Sequence, residues 1–169
     1  MLVLGGARSG KSNYAERLVI ESGLERVYLA TARAGDAEME ERIAEHQARR
    51  DLSWRTIEEP EALEATLAAH AQAGRAVLVD CLTLWLSNLL LAGADIEARM
   101  RGLCDTLRAL PGLLVLVSNE VGMGIVPDNA LGRRFRDAQG RMNQDVAAIA
   151  DNVVFLAAGL PLHLKGAPQ

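Results

Sequence analysis

The sequence predicts an α/β fold: a mostly parallel sheet with helices on both faces and an antiparallel edge at the C-terminus. Three observations carry this. Short apolar runs alternate with longer stretches of helical spacing along the whole chain. The apolar runs are continuous rather than alternating, as in parallel strands buried on both faces. The last two runs, "NVVFLAA" and "LPLHLK", are close enough to pair antiparallel at one edge.

The elements follow in order. "LVLGG" is a short strand running into a glycine-rich turn. "KSNYAERLVIES" has helical spacing, with Tyr14, Leu18 and Glu21 on one face and Ala15 and Val19 beside them. "RVYLATA" is a second buried strand. "DAEMEERIAEHQARR" is a charged helix with a narrow apolar stripe. "SWRTIEE" is an extended piece ending before Pro60. "PEALEATLAAHAQAG" is a helix with Pro60 in its first turn and Gly74 past its end. "RAVLVDC" is a strand, and "LTLWLSNLLLAG" a mostly buried helix that serves either the core or an interface. "DIEARMRGLCDTLRALP" is a helix and "GLLVLVSNE" a buried strand. The glycine-rich loop "EVGMGIVPDN" precedes a long amphipathic helix, "ALGRRFRDAQGRMNQDVAAIAD". A Gly-Leu-Pro turn joins the last two strands.

The chain has 169 residues and is expected to form one domain over residues 1–169. Its net charge of −4 argues against nucleic acid as the main partner, because phosphate backbones demand a basic surface. Cys81 and Cys104 lack metal-ligand spacing and sit in Leu-rich surroundings, so they read as reduced thiols used as small apolar residues. The longest apolar run, "CLTLWLSNLLLAGA", is too short and too polar to span a bilayer, which takes ~20 residues. No leader is expected ahead of the first strand, and the chain reads as soluble and cytoplasmic.

The chemistry starts at "GGARSGKS". Gly5, four residues, Gly10, Lys11 and Ser12 complete the G-x4-GK[ST] pattern between a strand and a helix. In such a loop the backbone N–H groups of Gly5, Gly6, Ala7, Arg8, Ser9 and Gly10 turn toward phosphate oxygens, and the helix presents its positive end to them. Lys11 reaches the β- and γ-phosphates, and Ser12 holds Mg²⁺ through its hydroxyl. "AVLVDC" places Asp80 at the carboxyl end of a strand, the ligand side of a parallel sheet. Asp80 is thus a second candidate ligand for Mg²⁺, or a cap for the following helix. The loop points to a nucleoside triphosphate and says nothing about the second substrate.

Of three histidines, His70 lies near a helix end and His163 in the last strand. His46 differs. At 100° per residue, Met39, Ile43, His46 and Arg50 fall on one stripe, flanked by Arg42 and Arg49. Three guanidiniums that near draw anions and favour a neutral imidazole. Such an imidazole can accept a phosphoryl or nucleotidyl group. It can equally be a half-buried helix histidine beside solvated arginines, and spacing alone leaves both readings open.

"SNEVGMGIVPDN" also leaves two readings. It follows a buried strand, so Asn119 and Glu120 stand at the mouth of that strand on the ligand side. Gly122 and Gly124 permit close backbone approach. Either the loop closes on a second substrate, with Arg133, Arg134, Arg136 and Arg141 for its phosphate, or it is an ordinary loop before a solvated helix face.

Taken together, "GGARSGKS", "YLATA", "EMEERIAEHQARR", "RTIEEP", "VDCLTLWLSNLL" and "NEVGMGIVP" resemble, in order, the blocks of one family. It is the bifunctional adenosylcobinamide kinase / adenosylcobinamide-phosphate guanylyltransferase family of cobalamin biosynthesis, and the resemblance runs from Leu2 to Lys165. It implies a RecA-like P-loop NTPase fold and a homotrimer. It implies phosphorylation of a corrinoid, adenosylcobinamide, with ATP or GTP. Transfer of GMP from GTP through a guanylylated histidine then gives adenosylcobinamide-GDP. The histidine of that family falls on His46. Its nucleotide contacts fall on Gly5 to Ser12, on Ala30, Thr31 and Ala32, on Gln47, Ala48, Arg49 and Arg50, on Glu58, and near Asp80. Two other functions use the same loop: a small-molecule kinase that makes no use of His46, and a nucleotide-gated switch with slow turnover.

Overall fold

The structure, a computed structural model of the chain, describes residues 1–33 and 51–166. Among the described residues seven strands form one sheet: β1 (Leu2–Gly5), β2 (Glu25–Ala30), β3 (Trp54–Glu58), β4 (Arg75–Asp80), β5 (Leu113–Asn119), β6 (Val153–Ala157) and β7 (Leu160–Lys165). Among the described residues the helices are α1 (Lys11–Glu21), α2 (Leu63–His70), α3 (Leu82–Leu91), α4 (Ile96–Ala109) and α5 (Ala130–Ile149).

The strand order is β3-β2-β4-β5-β1-β6-β7. Every pairing is parallel except β6 with β7, which is antiparallel as the short Gly159 turn requires. The extended piece "SWRTIEE" is edge strand β3, in parallel register with β2. Because six strands run the same way, Gly5, Ala30, Glu58, Asp80 and Asn119 all end at one edge of the sheet. That edge is where an open parallel sheet binds ligands.

The apolar strands bury both faces, and two clusters result. On one face Tyr14, Ala15 and Val19 of α1 meet Val3, Tyr28, Leu78 and Val117. Of the predicted inner face of α1, Leu18 is only half-buried and Glu21 is exposed. On the other face Leu67 of α2, Trp85 of α3, Leu103 of α4 and Met142 of α5 meet Leu2, Leu29, Val79 and Leu116. Each large aliphatic side chain buried this way contributes about 1.5–3 kcal/mol. Helix α3 belongs to this core: Leu82, Trp85 and Leu86 are fully buried, and the Trp85 indole donates to Glu61 O at 2.9 Å.

Helix α2 is shorter than predicted at both ends. Pro60 lies outside it. The Glu59 carboxylate accepts from the N–H groups of Glu61 (2.9 Å) and Ala62 (2.8 Å), so this stretch is a turn rather than a first helical turn. At the other end Ala71 is extended, and Gly74, at φ 87°, serves the turn that leads into β4.

Candidate active site

The glycine-rich loop joins β1 to α1 as predicted, and its neighbours dictate its residues. Gly5 is buried; a Cβ there would overlap Ser9 Oγ and stand 2.7 Å from Leu156 O. Gly10 takes φ 91°, and a Cβ there would sit 3.3 Å from Gly159 Cα. Arg8 also lies in the left-handed region at φ 55°, which costs a non-glycine residue roughly 1–2 kcal/mol. The surroundings hold this shape. Ser9 N donates to Gly6 O at 3.3 Å, and Gly159 N donates to Ser9 O at 2.9 Å. The β6–β7 turn therefore braces the loop from the far end of the sequence.

Lys11 opens α1, and its ammonium reaches back into the loop to donate to Gly6 O at 3.1 Å. The N-cap of α1 is Gly10, which brings no side chain to cap it, and the first turn holds no acidic residue. A positive helix end of this kind, under a loop of inward-turning backbone, is suited to phosphate oxygens.

Asp80 closes β4, two strand spacings from β1, or ~10 Å across the sheet. Its Oδ2 accepts from the Tyr28 hydroxyl at 2.9 Å, while the N-cap of α3 is Cys81. The capping role considered for Asp80 is thus not what the structure shows; its carboxylate is held by a strand neighbour instead. The Tyr28 contact had no sequence signal, since only strand pairing brings the two residues together. Among the described residues no three His, Cys, Asp or Glu side chains cluster as a metal cage. A single carboxylate and a hydroxyl nonetheless suit Mg²⁺, a hard cation that takes oxygen donors and completes its shell with water and substrate phosphates. Ser12 and Asp80 fit that role.

Farther along the edge, Thr31 is fully buried and committed to the protein. Its hydroxyl donates to Cys81 O at 2.7 Å and accepts from Cys81 N at 2.9 Å. Its carbonyl accepts from Asn88 Nδ2 at 2.8 Å. Thr31 thereby ties β2 to the start of α3, with the half-buried Ala30 and Ala32 on either side. Glu58 is exposed at the end of β3, four strand spacings from β1, or ~19 Å. The structure therefore gathers Gly5 to Ser12 and Asp80, and sets Glu58 at the far end of the same edge. His46, Gln47, Ala48, Arg49 and Arg50, with Arg42, lie outside the described residues.

At the mouth of β5, Asn119 pairs with Gly5, and Glu120 N donates to Gly5 O at 3.1 Å, as the expected placement of both residues requires. A buried polar network underlies this point. Ser118 Oγ donates to Asn143 Oδ1 (2.7 Å), and Gln139 Nε2 donates to both Ser118 Oγ (2.8 Å) and Asn143 Oδ1 (2.9 Å). Asn143 Nδ2 then donates to Asn119 O at 3.0 Å, and Asn119 N donates to Thr83 Oγ1 at 2.7 Å. Sequence reading missed this network, because polar residues on a long helix give no sign of facing inward. Of the arginines on α5, Arg133 donates to Pro127 O (3.0 Å) and Asp128 O (2.8 Å), and Arg136 pairs with Asp137. Both serve the loop and helix themselves, while Arg134 and Arg141 are exposed.

Both cysteines are free and buried, as expected. Burial pushes the Cys81 thiol up from its ordinary 9.0 to about 11, and the neighbouring Asp80 carboxylate adds to the push. Burial likewise raises the Cys104 thiol. The folded chain holds these protons more tightly than the unfolded chain. For Cys81, the resulting stability is full below pH 9 and is lost as pH climbs through about 11. A thiol-reactive dye at pH 8 should therefore label neither cysteine rapidly in the native protein and both after denaturation. Rapid native labelling would contradict this burial.

No helix among the described residues is long and apolar enough to cross a membrane. Among solved structures, the P4 protein of bacteriophage phi6 in complex with ADP is similar, with a TM-score of 0.50 and 17% identity over 95% of this chain and 51% of that one. A Pyrococcus horikoshii protein matches with a TM-score of 0.55 and 9% identity over 99% of this chain and 86% of that one. These likenesses bear out the fold, a mostly parallel sheet with helices around it and an antiparallel edge. The bifunctional adenosylcobalamin biosynthesis protein CobP of Pseudomonas aeruginosa is 56% identical over 169 residues, covering 99% of this chain and 98% of that protein. The corresponding CobU of Escherichia coli is 39% identical over 180 residues, covering 98% and 99%. The family of cobinamide kinase / cobinamide phosphate guanyltransferase matches residues 1–164, and the chain belongs to that family.

Proposed function

We propose that the chain phosphorylates adenosylcobinamide with ATP or GTP and then transfers GMP from GTP to adenosylcobinamide-phosphate through a covalent guanylyl-histidine at His46. The observation that carries this reading is the complete phosphate loop on β1 and α1, with Asp80 at the same sheet edge, in a chain of this family. In the kinase step the loop N–H groups, the helix end and Lys11 hold the triphosphate and stabilise charge as the acceptor hydroxyl oxygen bonds to the γ-phosphorus; the bond to the β-phosphate oxygen breaks, the nucleoside diphosphate leaves and the hydroxyl proton passes to solvent. Mg²⁺, when held by Ser12 and Asp80, would supply further neutralisation of the phosphate charge.

In the transfer step an imidazole nitrogen of His46 attacks the α-phosphorus of GTP. The N–P bond forms, and the bond to the pyrophosphate oxygen breaks. Lys11 stabilises the leaving pyrophosphate, and Arg42, Arg49 and Arg50 steady the nucleotide at the histidine. A phosphate oxygen of adenosylcobinamide-phosphate then attacks the same phosphorus and the N–P bond breaks, with the protonated imidazole as leaving group. The distance from the loop to Glu58 leaves room for the nucleoside to lie along the edge, past Asp80 and Ala30. The family resemblance further supports a homotrimer working in the cytoplasm.

Incubation with GTP labelled at the α-phosphate, with Mg²⁺ and no acceptor, is the test. Label is expected on the protein, released by acid and stable to base. Folded, GTP-binding protein that takes up no label would overturn the guanylyl-histidine. It would favour a kinase that acts by direct γ-transfer.

A further inference from the structure

Residues 121–129 form a loop that is firmly held and yet exposes its apolar side chains. Met123 is 80% exposed, Ile125 96% and Val126 57%, and Leu131 on the first turn of α5 is 53% exposed. Single exposed apolar residues are ordinary, but a run of four within nine positions is the mark of a binding surface.

The loop is anchored at both ends. At its start, Glu120 N donates to Gly5 O, and the Glu120 carboxylate accepts from Gly122 N. At its end, Asn129 Oδ1 accepts from Gly132 N at 2.7 Å, and Arg133 holds the carbonyls of Pro127 and Asp128. Gly132 is required there, since a Cβ would stand 2.8 Å from Pro127 Cβ. The chain thus fixes the loop's ends while leaving its middle uncovered.

We propose that Met123, Ile125 and Val126 form the surface on which the corrin macrocycle of the acceptor lies. This rests on the function proposed above and names the part of the site that receives the acceptor's bulk. The acceptor must bring its hydroxyl, and later its phosphate, to the nucleotide phosphates at Gly5 to Ser12. Its remainder must then extend over whatever borders that loop, and the 121–129 loop borders it through the Glu120–Gly5 hydrogen bond. A corrin is a wide plate whose rim carries methyl and ring methylene groups, and aliphatic side chains bury such a rim favourably.

The test uses the full chain with Met123→Ser and Ile125→Ser combined. Equilibrium dialysis measures adenosylcobinamide binding, and a separate titration measures GTP binding. The dissociation constant for adenosylcobinamide is expected to rise at least ten-fold, on the order of the loss from withdrawing two aliphatic side chains from burial. That for GTP should stay within about two-fold, because Gly5 to Ser12 and Asp80 are unchanged; this also shows that the variant is folded. A corrinoid constant unchanged within two-fold overturns the proposal. So does a change in molecular mass on size exclusion with corrinoid binding intact, which would assign the loop to contact between copies. If the unsubstituted chain binds adenosylcobinamide but does not phosphorylate it, the function proposed above fails while this surface stands.

Discussion

Lys11→Ala should lose both partial reactions while keeping its fold. Lys11 is the first residue of α1, and its ammonium reaches into the loop to donate to Gly6 O. It is thus positioned to meet negative charge without a rearrangement of the backbone. Removal of one such charge-stabilising group costs about 10²–10³ in kcat, or at least about 2.7 kcal/mol of barrier. The loss should appear in γ-phosphoryl transfer to adenosylcobinamide and in labelling by α-labelled GTP alike, since both steps use the same triphosphate cradle. The fold should hold. Alanine is the best helix former, and the glycine-loop contacts among Gly6, Ser9 and Gly159 involve only backbone. Circular dichroism of the variant should match the unsubstituted chain. Retention of either reaction within ten-fold would show that Lys11 does not touch the reacting phosphates in that step.

His46→Ala should separate the two reactions. The guanylyl adduct, and with it formation of adenosylcobinamide-GDP, should vanish. No other histidine can replace it: His70 ends α2 on the side of the β4 amino end, and His163 lies on edge strand β7. Phosphorylation of adenosylcobinamide should persist, because the loop, Lys11 and Asp80 are untouched. Loss of a nucleophile removes the covalent route entirely rather than by degrees. The contrast between the variants is the useful result: Lys11→Ala weakens both activities, while His46→Ala removes only the second. Parallel loss of both in a folded His46→Ala chain would mean that the imidazole also serves γ-transfer.

The phosphate loop was legible in the sequence because its determinants are local. Gly5, Gly10, Lys11 and Ser12 stand within eight residues, and a strand and a helix flank them. The strands were legible from their apolar runs, and Asp80 from its place after one of them. Their order was not. Nothing in "RVYLATA" or "RAVLVDC" says that β2 and β4 are neighbours, so the Tyr28–Asp80 hydrogen bond was out of reach. The start of α2 was misplaced because the Glu59 side chain captured N–H groups that helix periodicity assigns to a first turn. The Ser118–Gln139–Asn143 network escaped for a related reason: polar side chains on α5 read as a solvated face until β5 is packed beneath them. The reading of His46 draws on the family resemblance, and residue 46 lies outside the described residues.

The brace from Gly159 to Ser9 also bears on how the protein is made. The phosphate loop and its support lie far apart in the sequence, at Ser9 and Gly159. Strand β1 sits between β5 and β6, and the loop leans on the turn after β6. A nascent chain of 150 residues carries the whole nucleotide motif but neither β6 nor the brace. The loop can therefore reach its braced form only once the β6–β7 hairpin has been made. The same wiring makes the β6–β7 hairpin a support of the phosphate loop.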